Sequence, residues 1–188
     1  MIILVGASAS GKTEIAKRLS NVYGMKKVVT VTTRAMRVGE RQDVDYHFVS
    51  EEQFLQLRQE NAFVETATFS SHHYGSLKKE ISDNKVLIVE PRGLKHYQEL
   101  HDPRIVSFAL QCGENIRKER MTSRGDAKED VEKRLENDRK DFFQIETKTD
   151  YVLDSSHQSI EALTEKIIEL YQNHLQHLPV SPTPSDRH

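Results

Sequence analysis

Cysteine is almost absent from this chain of 188 residues, and long apolar segments are absent altogether. The single cysteine, Cys112, excludes a disulfide within the chain and suits a reducing compartment. No apolar run approaches the roughly 18 residues that a membrane span requires, so we expect no membrane association. Met1 leads directly into a short apolar run that lacks the features of a secretory signal. We therefore expect a cytoplasmic protein.

An excess of charge of either sign is also missing. Lysine and arginine number 27 against 29 aspartates and glutamates, which leaves a net charge of −2. No overall field attracts nucleic acid or an anionic surface, so an anion site must be a local cluster of groups. We therefore expect no nucleic-acid partner. The length suits a single domain with a substantial core.

The most informative segment follows the apolar run at residues 2–5 and precedes a helical pattern with apolar Ile15 and Leu19. Its spacing, G-x-x-x-x-G-K-[ST], is that of a phosphate-binding P-loop. Backbone N–H groups and the positive end of the next helix would face the phosphates of ATP. Lys12 would reach the β- and γ-phosphates, and the Thr13 hydroxyl would bind Mg²⁺. The predicted ATP-binding residues are Gly6, Ala7, Ser8, Ala9, Ser10, Gly11, Lys12 and Thr13.

Apolar runs alternate with helical patterns along the chain, which predicts an α/β fold with a parallel sheet covered on both faces. The predicted strands are 2–5, 27–31, 62–67, 86–89, 105–110 and 151–153. The predicted helices are 13–22, 50–59, 94–100, 114–123, 129–145 and 160–175. Ser50 followed by Gln53 indicates a capping box. Since residues 86–89 are continuously apolar, we expect a fully buried central strand there. The proline-containing segment 179–188 is predicted to be a mobile tail.

Several further motifs occur in a fixed order. They read Thr32-Thr33-Arg34-Ala35-Met36-Arg37-Val38-Gly39-Glu40, Asp45-Tyr46-His47-Phe48-Val49-Ser50, Glu65 with Ala67, Tyr74-Gly75-Ser76, Arg120 with Arg124-Gly125, and Lys133-Arg134-Leu135. In order and spacing they resemble the guanylate kinase family, from the first strand to about residue 155. The resemblance implies a P-loop three-layer fold with a central parallel sheet, a small antiparallel GMP-binding patch and a helical lid. The patch would span about 32–82 and the lid about 114–147, within one domain of residues 1–178.

The chemistry of phosphoryl transfer explains the paired arginines. Two nucleotides are polyanions that repel each other, so a second phosphate clamp is needed opposite the P-loop. Arg34 and Arg37 would supply bidentate, charge-assisted hydrogen bonds. Tyr46 and Tyr74 would add neutral donors. Glu40 is expected to orient the arginines or to contact the acceptor site through water.

Guanine recognition needs acceptors for N1–H and the N2 amino group. The resemblance implies that Glu65 supplies them, and that Ser76 and Thr30 place hydroxyls on the base. A carboxylate there would meet acceptors on adenine, which disfavours AMP. In the family, the strand that follows usually ends in an Asp-x-Asp pair. Here Ile88 occupies the first of these positions and Glu90 the second, where Glu90 can still reach toward the base.

Charge spreads over the γ-phosphoryl oxygens during in-line transfer, and arginines of the lid would stabilise it. The resemblance assigns this role to Arg120, Arg124 and Arg134, which with Lys12 form the predicted catalytic set. Arg117 and Arg139 are instead interpreted as residues on solvated helix faces. No general base is expected, since the acceptor phosphate is already a nucleophile.

These features predict an enzyme that converts ATP and GMP to ADP and GDP with Mg²⁺, as a monomer or homodimer. Two alternatives remain open from the sequence. One is a kinase of this fold that acts on a phosphorylated sugar, in line with the altered acid pair. The other is a guanylate kinase-like binding module without catalysis, although an intact P-loop argues against it.

Overall fold

The computed structural model describes residues 1–69 and 71–178. The tail predicted at 179–188 lies outside the described residues. The strands are β1 Ile2–Val5, β2 Lys26–Lys27, β3 Val31–Thr32, β4 His47–Phe48, β5 Phe63–Phe69, β6 His72–Leu77, β7 Lys85–Ile88, β8 Val106–Gln111 and β9 Tyr151–Asp154. The helices are α1 Lys12–Tyr23, α2 Glu51–Gln59, α3 Pro91–Gln98, α4 Glu114–Ser123, α5 Lys128–Asp141 and α6 Ile160–Gln176.

A five-stranded sheet has the order β2-β7-β1-β8-β9, and every neighbouring pair in it is parallel. This confirms the predicted α/β fold with a central parallel sheet. The central strand is β1, however, rather than the strand predicted at 86–89. In β7 only Val86 is buried, and Ile88 is 38% exposed. The prediction of full burial was wrong because β2, which flanks β7 on one side, pairs with Lys85 and Val86 and ends before it reaches Ile88.

The core lies on both faces of this sheet. Alternate residues of β1 point to opposite faces, as the two-residue period of a strand requires. Ile2 and Leu4 join a cluster that contains residues of α1 and α6, whereas Ile3 and Val5 join one that contains Leu94 of α3. Three layers result, with helices on either side of the sheet.

A second sheet of four strands, in the order β4-β3-β6-β5, forms the smaller lobe. It is mixed rather than wholly antiparallel, because β3 and β4 run parallel. The single strand predicted at 27–31 is two strands that belong to different sheets. The N–H of Val28 still bonds to Val86 of the large sheet, whereas Val31 pairs with Gly75 of the small one.

Helix α2 covers the small sheet through Phe54, which is buried against Phe63 and Val31. It begins with the predicted capping box, since the Ser50 hydroxyl accepts from the Gln53 N–H and the Gln53 side chain accepts from the Ser50 N–H. Helix α3 begins earlier than predicted because a proline fits the first helical position, where no N–H is needed. Helix α5 ends earlier than predicted, at Asp141.

The two charged helices α4 and α5 pack on each other beside the P-loop. Met121, Val131 and Leu135 are buried between them, and Ala9 of the loop contacts this cluster. Among the described residues, no helix is both long and apolar enough to cross a membrane.

Candidate active site

The P-loop leaves β1 with almost no space for a side chain at its first residue. A Cβ on Gly6 would lie 2.7 Å from the backbone oxygen of Leu110 and 2.9 Å from the Ser10 hydroxyl. Gly11 has a φ of 100°, in the left-handed region that favours glycine. It occupies the cap position of α1 and no side chain caps that helix. The first N–H groups of α1 are therefore open to an anion.

Lys12 folds back over this loop. Its Nζ donates to the backbone oxygens of Gly6, at 2.5 Å, and Ala7, at 2.9 Å. Burial lowers the pKa of Lys12 from its ordinary value, and the negative charges of Glu90 and Asp138 oppose that shift.

A cavity of about 460 Å³ opens at the start of α1. It brings together most of the P-loop with two of the three predicted lid arginines. Residues 158–160, where α6 begins, also line it. The lining residues are Ala9, Ser10, Gly11, Lys12, Thr13, Glu14, Arg120, Arg124, Gln158, Ser159 and Ile160.

The lid arginines differ in what they contact. Arg120 donates to the backbone oxygens of Ala9, at 3.2 Å, and Ser155, at 2.8 Å, so it links the P-loop to the end of β9. Arg124 and Arg134 both bind the carboxylate of Asp126. Arg134 does not line the cavity, and it shares the Asp126 carboxylate with Arg124.

A second cluster lies on the small sheet and its preceding loop. Arg34 donates to Glu40 at 2.6 Å, and this hydrogen bond raises the pKa of Arg34 and lowers that of Glu40. The Arg34 guanidinium also lies 5.5 Å from the centre of the Tyr46 ring, which meets Tyr74 edge-on at 6.2 Å. The structure thus brings Arg34, Tyr46 and Tyr74 together. It leaves the Arg37 side chain exposed, although its backbone N–H donates to Glu40.

Two of the four residues predicted to contact the base form a separate pair beside this cluster. Glu65 and Ser76 face each other across β5 and β6, and the Ser76 hydroxyl donates to Glu65 at 2.8 Å. Thr30 is half-buried before β3 and accepts the His47 N–H through its backbone oxygen. Glu90 is exposed at the cap position of α3.

Sequence reasoning missed the phenol behind this pair. Tyr97 of α3 is 2% exposed. Burial raises its pKa to about 12, against a hydrogen bond with Ser76 that acts to lower it. Its spacing of three residues from buried Leu94 places both on the inner face of α3, and this helical spacing was readable from the sequence.

Sequence reasoning also misplaced Arg117. It is 6% exposed and forms an ion pair with Asp138, which is 8% exposed, so the interpretation as a solvated helix face was wrong. The signal was present, because Arg117 shares a face of α4 with Met121, and Asp138 shares a face of α5 with Val131 and Leu135. Arg139, by contrast, pairs with Glu114 at the surface, as expected.

The Guanylate kinase family model matches residues 1–174. The chain belongs to the guanylate kinase family. A guanylate kinase of Legionella pneumophila (strain Lens) is 32% identical over 138 residues, which are 70% of this chain and 66% of that protein. One from Helicobacter pylori (strain ATCC 700392 / 26695) is 34% identical over 162 residues, 81% of this chain and 78% of that protein.

A crystal structure of guanylate kinase from Anaplasma phagocytophilum has the same fold. It aligns with a TM-score of 0.63 at 24% identity, covering 96% of this chain and 87% of that one. The family membership agrees with the sequence resemblance. It favours the nucleotide kinase over the two alternatives that the sequence left open.

Proposed function

We propose that this protein transfers the γ-phosphoryl group of ATP to GMP and releases ADP and GDP. The observation that carries the proposal is the pairing of Glu65 with Ser76 beside the Arg34 cluster, on a sheet separate from the P-loop. The Glu65–Ser76 pair provides hydrogen-bonding groups for a guanine edge. The Arg34 cluster provides positive charge for the attached phosphate. Membership of the guanylate kinase family supports the same assignment.

We assign roles to residues on this basis. The P-loop, residues 6–13, binds the phosphates of ATP, and Lys12 contacts the γ-phosphoryl group during its transfer. Arg120, Arg124 and Arg134 stabilise the charge on its equatorial oxygens. The segments 32–82 and 114–147 are the GMP-binding region and the lid. The proposed GMP-binding residues are Thr30, Arg34, Arg37, Tyr46, Glu65, Tyr74, Ser76 and Glu90.

The residues around the loop fit Mg²⁺ bound together with ATP. Within residues 1–69 and 71–178, no group of three or more metal-binding side chains forms a cage of its own. Thr13 lines the cavity with a hard hydroxyl oxygen, and the Glu90 charge acts on neighbouring Lys12. Mg²⁺ keeps several waters and takes few protein ligands when phosphates complete its shell. Bound there, the ion would neutralise phosphate charge, and Thr13 would hold it.

The transfer then depends on positioning and electrostatics. The acceptor phosphate is the nucleophile, so no side chain has to remove a proton. Arg34 and the tyrosines hold that phosphate, while Lys12 and the lid arginines hold the donor. Closing the two clusters on each other would exclude water from the site. The cytoplasmic location and the oligomeric state stay predictions.

A coupled ADP-release assay tests the proposal. With Mg²⁺ and ATP, we expect turnover with GMP and little with AMP, CMP or UMP. Lys12→Ala should remove turnover while retaining the fold by circular dichroism. Lys17→Ala is the matched control, since Lys17 is an exposed residue of the same helix paired with Glu14. Equal turnover with all four monophosphates would contradict the base assignment, and unchanged turnover in Lys12→Ala would contradict the reaction.

A further inference from the structure

Two charged side chains of the lid are buried where the lid helices meet the P-loop. Arg117 of α4 and Asp138 of α5 are 6% and 8% exposed, and Nη1 lies 2.6 Å from Oδ2. Such side chains are rarely buried unless they are paired. Two other ion pairs join these helices, Arg139 with Glu114 and Lys118 with Glu132, and both lie at the surface. The buried pair thus needs an explanation that the surface pairs do not.

The contacts of the buried pair converge on one residue of the loop. Asp138 accepts the Ser8 backbone N–H at 3.0 Å and the Ser8 hydroxyl at 3.2 Å. Arg117 Nη1 lies 3.4 Å from the Ser8 backbone oxygen. Its Nε donates to the backbone oxygen of Cys112, at the end of β8, at 3.3 Å. Each polar group of Ser8 is therefore held by the lid.

The next residue of the loop shows why Ser8 has to be held. Ala9 has a φ of 60°, in the left-handed region that non-glycine residues rarely adopt. A backbone conformation of this kind persists when its surroundings over-determine it. Ser8 on one side of Ala9 is clamped by the ion pair, and Ala9 itself contacts the apolar cluster of the lid.

The charges of the pair also reach the phosphate site. Asp138 and Arg117 act on Lys12 with opposite signs, so both lie close enough for their charges to matter there. An unpaired Asp138 would repel the triphosphate. With Arg117 at 2.6 Å, the two charges largely cancel.

We propose that Arg117 and Asp138 are positioning residues for ATP, which hold the Ser8 peptide in its anion-binding conformation. In this role Asp138 fixes the loop, and Arg117 cancels the charge that this contact brings next to the phosphates. The inference rests on the proposed function for its kinetic test, but ATP binding alone also tests it.

The experiment compares Arg117→Leu, Asp138→Asn, their double variant and the control Arg139→Leu. We measure the dissociation constant for ATP by titration, and kcat and KM for both substrates. Arg117→Leu should weaken ATP binding by about tenfold or more, since a lone carboxylate now faces the phosphates. The KM for GMP should change less than twofold.

The double variant should recover most of the lost ATP affinity. The asparagine that it carries in place of Asp138 would lack the charge, while the amide oxygen still accepts the Ser8 N–H. Arg139→Leu should leave both substrates unaffected. If Arg117→Leu fails to fold, Arg117→Lys, which keeps the charge and loses the Cys112 contact, should bind ATP within about threefold of the parent.

Three outcomes would overturn the inference. The first is that Arg117→Leu and Arg139→Leu weaken ATP binding equally. The second is that Arg117→Leu weakens ATP and GMP binding by the same factor. The third is that the double variant binds ATP no better than Arg117→Leu. Failure of the proposed function is distinguishable from these. In that case the parent protein would bind ATP without turnover on GMP. The ATP dissociation constants of the variants, relative to that of the parent, would still test the role of the ion pair.

Discussion

Single side chains of the proposed acceptor site are held by one another. Glu40 fixes Arg34 through a hydrogen bond of 2.6 Å, and Glu65 fixes the Ser76 hydroxyl at 2.8 Å. A side chain that is already oriented loses less conformational entropy on binding. These contacts therefore favour a site whose geometry for the base and the phosphate is largely preformed.

Glu65→Gln tests the reading of guanine at this scale. The amide presents donors where guanine also presents donors, so at least one charge-assisted hydrogen bond is lost. Such bonds are worth about 1.5–3 kcal/mol. We expect kcat/KM for GMP to fall by about 10- to 150-fold, and the preference for GMP over AMP to narrow, as measured by ADP release.

The control for this variant is Glu52→Gln, an exposed glutamate on α2 next to the same sheet. It should leave the kinetics unchanged. An undiminished preference for GMP in Glu65→Gln would show that another group reads the base.

At the level of elements, the sequence predicted those helices and strands that carry a long apolar run or a helical period. The run at β1 and the long amphipathic helix α6 were predicted close to their observed bounds. Two-residue strands carry no such pattern, so the division of 27–31 between two sheets could not be predicted. That division depends on pairing with backbone groups far away in the sequence, since Val28 bonds to Val86 and Val31 pairs with Gly75. The P-loop and the Arg34 cluster were accessible as motifs, whereas the Arg117–Asp138 pair needed the helix faces to be compared.

Glu80 connects elements of both sheets. Its carboxylate accepts from Lys85 Nζ at 2.5 Å and from the Val29 N–H at 3.3 Å, and His47 Nε2 lies 3.9 Å away. Burial acts to raise the pKa of Glu80, but the Lys85 and Val29 hydrogen bonds outweigh it, and the pKa is lowered from 4.5. The folded state therefore holds this proton more weakly than the unfolded chain.

This difference predicts a pH dependence of stability. The stabilisation is complete above the unfolded pKa and is lost as the pH falls through the lower folded value. Glu80→Gln should cost about 1 kcal/mol of unfolding free energy at pH 7. The cost should shrink on acidification below pH 4.5, as measured by urea unfolding across pH. Glu165→Gln, an exposed change on α6, should show neither effect, and a cost for Glu80→Gln that is constant with pH would contradict the assignment.

At the scale of the whole molecule, the two clusters that we propose to bind phosphate stand on different sheets. The P-loop follows the central strand of the large sheet, and the Arg34 cluster belongs to the small one. A ligand that contacts both clusters links the two lobes. We therefore expect nucleotide binding to stabilise the molecule as a whole.

A thermal unfolding series tests this expectation. A ligand at 100 times its dissociation constant stabilises the folded state by about 2.7 kcal/mol. For a chain of this length, that corresponds to a rise in Tm of about 5–10 °C. GMP should produce the rise and AMP at the same concentration should not. A nonhydrolysable ATP analogue added with GMP should raise Tm further, and identical shifts with GMP and AMP would contradict the proposed selectivity.

The smaller lobe occupies a revealing place in the chain. Strands β2 and β7 are parallel neighbours, with Lys26 opposite Lys85. The chain segment that connects them contains the small sheet and α2. Parallel neighbours require a return connection of about a dozen or more residues. The segment that we assign to the acceptor is that return connection. Deleting it would unpair the edge strand β2, whereas exchanging it at the same two junctions is expected to change acceptor specificity while leaving the P-loop in place.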